Sequence, residues 1–156
     1  MSSFRLVGLD HAPFHPLFAL SDDELVRFGA ERCVATASHG FPCRVSLEDA
    51  AIGEELLLLP FEHQPAASPY RASGPIFVRR GARQRVLTVN EVPEYVASRL
   101  ISVRAYDARH RMVDATVHEG ALVHAEIERM FSDTSVAYAH LHNAKRGCFS
   151  CRVERA

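Results

Sequence analysis

Val136 to Arg155 reads V-A-Y-A-H-L-H-N-A-K-R-G-C-F-S-C-R-V-E-R, and its alternation leaves few folds open. Side chains alternate faces along a strand, so residues two apart share a face. In the first run Tyr138, His140 and His142 share one face, while Ala137, Ala139 and Leu141 share the other. Residues 143–147 contain Asn143 and Gly147 and read as a loop. A hairpin closed by that loop sets His142 opposite Cys148 and His140 opposite Ser150. The returning run then places Cys148, Ser150, Arg152 and Glu154 with the histidines, and Phe149, Cys151 and Val153 with Leu141. One face is polar and the other apolar across both strands. A bulge would flip part of one strand, because a one-residue slip exchanges the faces.

The hairpin changes the meaning of Cys148-Phe149-Ser150-Cys151. A C-x-x-C can be a redox pair or half of a metal site. On a strand, the three-residue spacing sends the two sulfurs to opposite faces. Cys151 is therefore expected in the core and Cys148 beside the histidines.

Bulk properties exclude several classes. A formal charge of −1 and a pI of about 6.7 give no electrostatic footprint for nucleic acid or an anionic membrane. No run approaches the ~20 apolar residues that span a bilayer. The N-terminus, M-S-S-F-R-L-V-G-L-D, lacks a signal-peptide pattern. The expectation is a cytoplasmic chain whose four cysteines are free thiols. With 156 residues, 47% of them hydrophobic, residues 1–156 are expected to form a single globular domain.

The remaining elements follow from periodicity and punctuation. Phe4–Leu9 reads as a strand. Ser21-Asp22-Asp23-Glu24 is a capping box, with Leu20 and Leu25 at staple positions, opening a helix that carries Leu25 and Phe28 and stops at Gly29. Cys33–Ala37 reads as a short strand. Phe41–Leu47 alternates, with Cys43, Val45 and Leu47 opposed to Arg44 and Ser46. Glu54–Phe61 is a leucine-rich strand. Pro60–Arg85 holds three further prolines and two glycines around the short apolar piece Ile76–Val78, and reads as a long binding loop containing Tyr70 and Arg71. Val86–Val89 reads as a strand and Val92–Leu100 as a helix. Ile101–Asp107 alternates, with Ser102, Arg104 and Tyr106 on its polar face, and Met112–Val117 pairs back on it. Val123, Ile127, Met130 and Phe131 form a helical stripe. About eight short strands and about three helices without a βαβ rhythm predict an α+β fold with one largely antiparallel, strongly curved sheet.

Four stretches carry a resemblance. They are Pro42–Leu47 with Asp49-Ala50 and Gly53-Glu54, then Ser68–Val78, then Arg104–Asp107, and finally His140–Ala144 with Gly147-Cys148. Together they resemble the bacterial domain-of-unknown-function family 1203 over nearly the whole chain. The resemblance implies a one-domain bacterial protein of this length and no particular activity. Residues matching its motifs include Cys43, Arg44, Tyr70, Arg71, His140, His142, Asn143 and Cys148, whereas Cys151 lies outside them.

The residues point to three chemistries. Arg44, Ser46, Arg104, Tyr106, His140, His142 and Arg152 all fall on polar strand faces. If those faces are one, they form a cationic patch suited to a carboxylate or phosphate, roofed by the Tyr70–Pro75 loop. This is the leading expectation: a small-anion-binding domain or enzyme, with His140, His142 and Cys148 as catalytic candidates. Arg44, Ser46, Tyr70, Arg71, Arg104 and Asn143 are its substrate-binding candidates. The second chemistry is metal binding by the His140/His142 pair, with Cys148 as the local candidate for a third ligand and no histidine or carboxylate evident in that role. The third is a Cys148–His142 nucleophile pair. A non-catalytic interaction module, with a homodimer formed through the same face, is the alternative class. No dinucleotide or P-loop fingerprint occurs, and no cofactor is named by the sequence.

Overall fold

The structure, a computed structural model, describes residues 2–156. Its ten strands are β1 (Phe4–Val7), β2 (Glu31–Val34), β3 (Pro42–Cys43), β4 (Glu48–Asp49), β5 (Glu55–Gln64), β6 (Ala72–Arg79), β7 (Leu100–Asp107), β8 (Met112–Glu119), β9 (Val136–Asn143) and β10 (Phe149–Arg155). Its helices are α1 (Asp22–Arg27), α2 (Glu94–Ala97) and α3 (Val123–Phe131), with two short 3-10 turns. The α+β class and the antiparallel pairing are as the periodicity predicts. The single curved sheet is not: the strands divide into two five-stranded sheets, neither strongly curled, ordered β1-β10-β9-β7-β8 and β2-β5-β6-β3-β4. Only β3 and β6 pair in parallel.

The first sheet follows the alternation of its strands closely. Ile101, Val103 and Ala105 of β7, Ala139 and Leu141 of β9, and Cys151 and Val153 of β10 turn inward onto the stripe Val123, Ile127, Met130 and Phe131 of α3. Burying each of the larger aliphatic and aromatic side chains contributes about 1.5–3 kcal/mol, and the alanines less. The opposite face carries Ser102, Arg104 and Tyr106, paired in register with His142, His140 and Tyr138. This is the polar face expected from parity.

The second sheet departs from the sequence reading in two places. Pro60–Arg85 is no loose loop, because β5 runs to Gln64 and pairs with β6 through Pro60↔Pro75 and Phe61↔Gly74. Proline is tolerated there because β2 stops opposite Leu58, so beyond that point β5 has a free side that needs no ladder donor. The second departure is Phe41–Leu47. Only Pro42 and Cys43 are strand; Arg44–Leu47 is a buried turn, with Leu47 at φ 53. Its backbone is satisfied from outside the turn: Leu9 N–H donates to Arg44 O at 2.9 Å, Arg85 N–H to Val45 O at 3.0 Å, and Arg44 N–H to Phe77 O at 3.0 Å. Both parities are buried, so the alternation marks no wet face.

Smaller expectations divide. The capping box forms, Ser21 accepting from the Glu24 amide and Glu24 accepting from the Ser21 amide. Gly29 closes α1 at φ 67, with Ala30 N–H donating to Leu25 O at 3.0 Å. Phe28, expected beside Leu25, is exposed. Val86–Val89 contributes one isolated bridge, Val7↔Val86, and α2 is a single turn.

Candidate functional site

The β9–β10 hairpin exists but carries a bulge at Ser150. Phe149 lies opposite His142, Cys151 opposite Leu141, and Arg152 opposite His140. Beyond the bulge the expected faces hold, with Cys151 in the core and Arg152 on the histidine face. Before it they are exchanged, and the Phe149 ring joins the histidines instead of Leu141. The extra residue accounts for the flip. The Tyr95 hydroxyl donates to the freed Ser150 carbonyl at 3.1 Å. All four cysteines are free thiols, and burial pushes Cys151 up to about 12.

Two neighbouring clusters result. The first is a layer of rings between the polar face of the first sheet and the far end of β5. His63 stacks on Phe149 with ring centres 5.3 Å apart, and lies edge-on to His142 at 5.0 Å and to His140 at 6.3 Å. Tyr106 stacks on Tyr138 at 5.2 Å, and Gln64 donates to the Tyr138 hydroxyl at 3.0 Å. His140 and His142 are buried to 3% and 1% exposure. Desolvation, reinforced by His142, Arg152, His63 and Arg104, lowers His140 to about 3. Desolvation lowers His142 to about 4 against the opposing Gly147 carbonyl, and His63 is lowered for the same reason. All three imidazoles are therefore neutral near pH 7. The His142 Nδ1 lies 2.9 Å from Gly147 O. A carbonyl can only accept, so Nδ1 carries the proton and Nε2 presents a bare lone pair. That Nε2, His140 Nδ1 and His63 Nδ1 are buried with no hydrogen-bond partner.

The second cluster lines a cleft of about 410 Å³ beside the β9–β10 loop. Its walls include His39, Pro42, Arg44, Phe77, Arg99, Glu119, Asn143, Lys145, Arg146 and Cys148. Arg44 is only 2% exposed. It donates to Phe149 O at 2.7 Å, to Pro42 O at 2.6 Å and to Cys148 Sγ at 3.1 Å. Among the described residues no ion pair includes it. Arg99, by contrast, is held by both Asp49 oxygens at 2.6 and 3.0 Å.

The candidate residues thus fall into groups. Arg44, Asn143 and Cys148 meet in the cleft. His140, His142 and Arg104 meet in the ring layer, where Arg104 Nε donates to Ser102 Oγ at 3.1 Å. Tyr70 reaches that layer edge-on to Tyr106 at 6.2 Å. Ser46 is buried in its turn with its hydroxyl unpartnered. Arg71 stands apart, paired with Glu62 at 2.9 and 3.2 Å on the surface. Sequence reasoning missed His63. Extending the parity of Leu57, Leu59 and Phe61 past Pro60 would have reached it. It also missed Lys145 and Arg146, whose adjacency to Asn143 was the available signal. Nothing in the sequence links Arg99 to the cleft.

Among the described residues no helix is long and apolar enough to cross a membrane. No curated protein and no solved structure matches the chain. A family match, described as Protein of unknown function (DUF1203), covers residues 40–155, which includes every residue of the cleft and of the ring layer except His39. The chain belongs to the DUF1203 family.

Proposed function

We propose that the protein binds a small anionic ligand, bearing a carboxylate or phosphate, in the cleft lined by Arg44, Asn143, Lys145, Arg146 and Cys148. The observation that carries this reading is Arg44, a buried guanidinium with no carboxylate partner. Burying a charge without compensation is strongly unfavourable. The groups it touches are two carbonyls and one sulfur, and an anion in the cleft would supply the balancing charge. Lys145 and Arg146, both exposed, add two cations at the rim, against one lining carboxylate, Glu119. A planar guanidinium and mobile rim cations suit carboxylate or phosphate oxygens.

Isothermal titration with inorganic phosphate and with succinate tests the reading. Saturable binding is expected that weakens with salt and is lost in the Lys145→Gln/Arg146→Gln double variant. Arg71→Gln, remote from the cleft, is expected to bind as the parent does. No saturable binding of either anion, or binding indifferent to Lys145 and Arg146, refutes the assignment. Arg44 is avoided as a first test because it also ties the Arg44–Leu47 turn to β10.

A further inference from the structure

We propose that His63, His140 and His142 form a three-imidazole site for one transition-metal ion of the zinc, cobalt(II) or copper(II) class. This does not depend on the anion reading, since it uses different residues and a different ligand.

The first argument is the orphaned nitrogens. Buried polar atoms are nearly always partnered, and exceptions call for an explanation. Here three ring nitrogens are buried and unpartnered within one cluster. For His142 the missing partner is chemically defined. Its Nδ1 proton is donated to Gly147 O, so Nε2 requires a donor or a Lewis acid. A backbone carbonyl holding the remote nitrogen of an imidazole is the usual way to orient a metal ligand.

The second argument is spacing. Rotation about Cβ–Cγ swings a ring nitrogen but leaves the ring centre nearly fixed. Ring-centre separations therefore decide whether three imidazoles can reach one ion. They are 5.0 Å (His63–His142), 6.3 Å (His63–His140) and 6.4 Å (His140–His142). A circle through three centres with those separations has a radius of about 3.5 Å, and a zinc–nitrogen bond of ~2.0–2.1 Å puts the ion about 3.2 Å from each ring centre, so one ion is reached when the rings rotate and draw together by about 0.3 Å. In the present arrangement no three His, Cys, Asp or Glu side chains already converge on one point among the described residues. Loading therefore turns the His63 and His140 rings, whose Nδ1 atoms have no bond to lose. A single ion also needs far less room than an organic ligand.

The ligand set selects the ion. Three neutral nitrogens and no carboxylate favour borderline cations over magnesium or calcium. Three protein ligands leave a fourth position open. Arg104 faces the cluster and, among the described residues, is in no ion pair, so hydroxide or another small anion in that position completes the charge balance.

The test uses the full chain, stripped with chelator and titrated with cobalt(II) chloride and, separately, zinc chloride. One equivalent of cobalt is expected to develop visible d–d absorption that zinc displaces. X-ray absorption of the zinc-loaded parent is expected to report about three imidazoles, a result that needs no variant. His63→Gln, on the half-buried hairpin, and His142→Gln are expected to weaken zinc at least ~100-fold, beyond the ~10–100-fold loss of an outer-shell partner. Circular dichroism checks that both fold. The surface pair His11 and His15, with ring centres 4.9 Å apart, is the competing site. Their double alanine variant should bind zinc as the parent does. The proposal is overturned by absence of saturable binding, by binding that survives His63→Gln, by loss of binding in the His11/His15 variant, or by a coordination shell of water oxygens.

Discussion

Acid should destabilise this protein well above the pH at which carboxylates titrate, and the reason is the ring layer. His140 falls to about 3 and His142 to about 4 in the folded chain, chiefly by desolvation, against an ordinary value of 6.5. The folded values lie below the unfolded ones, so the unfolded state takes up protons first. The two histidines leave stability intact above pH 6.5 and withdraw it as pH falls from there toward 4 and then 3. At pH 5 the unfolded imidazoles are almost fully protonated and the folded ones almost wholly neutral. Each then costs about 2 kcal/mol, or about 4 kcal/mol together. A domain of this size has a total stability of about 5–15 kcal/mol, so the loss is a large fraction of it.

Urea unfolding followed by far-UV circular dichroism, with chelator present, measures this directly. Between pH 7 and pH 5 the midpoint should fall by about 2 M at an ordinary urea slope. The window separates imidazole from carboxylate, because the Asp and Glu side chains with shifted values, such as Glu55 and Glu126, are lowered and titrate below it. In a His140→Gln/His142→Gln variant the pH dependence over that window should shrink to the smaller part that His63, also lowered by burial, still contributes, whatever the variant's absolute stability. A parent midpoint flat from pH 7 to pH 5 would refute the burial argument. So would a double variant with the parent's slope.

Other outcomes follow from single contacts. Gly120→Ala should destabilise severely or abolish soluble expression, because a Cβ there collides with the Val96 and Arg99 carbonyls, which are backbone and cannot swing away. Gly8→Ala should behave alike against Val45 O, whereas Gly74→Ala, with nothing within 4 Å, should fold with a nearly unchanged melting temperature. Ser21→Ala removes one half of the capping box and should cost about 1 kcal/mol in urea unfolding. Timed alkylation with a maleimide should label Cys33 and Cys148 in the native protein before Cys43 and Cys151, which are 0% and 1% exposed. Equal rates at all four would contradict the packing.

The first sheet was legible in the sequence because each strand there has one dry and one wet or half-wet face. Ile101, Val103 and Ala105 against Ser102, Arg104 and Tyr106 is the clearest case, and the register sets Arg104 opposite His140 as the shared parity implies. The second sheet was less legible because its punctuation misleads. Pro60 and Pro75 look like breaks, yet they face each other within the β5–β6 ladder, past the point where β2 stops pairing with β5. Arg44 and Ser46 look like a polar face, yet they sit in a buried turn whose hydrogen bonds come from Leu9, Phe77 and Arg85. Such bonds are long-range and leave no periodic trace. The site split accordingly. His140, His142 and Arg104 could be grouped by parity, while Arg44 reached the cleft by a route parity does not describe. His63 was hidden behind the misread proline.

The bulge at Ser150 explains why the two clusters lie back to back. In a regular strand Phe149 would point into the core beside Leu141, and the histidine layer would lack its central ring. The extra residue turns the Phe149 ring to stack on His63, at 5.3 Å, and to meet His140 edge-on at 5.2 Å. The same Phe149 accepts the Arg44 Nε–H through its carbonyl at 2.7 Å. Its side chain therefore packs the imidazoles while its main chain anchors the guanidinium of the cleft. A ligand that drew Arg44 outward would pull on the residue against which all three imidazoles pack. An ion that reoriented His63 and His140 would push on that residue from the other side. Coupling between distant sites needs an element that both of them bias. Phe149, held between the Ser150 bulge and the Arg44 contact, touches both clusters through different atoms.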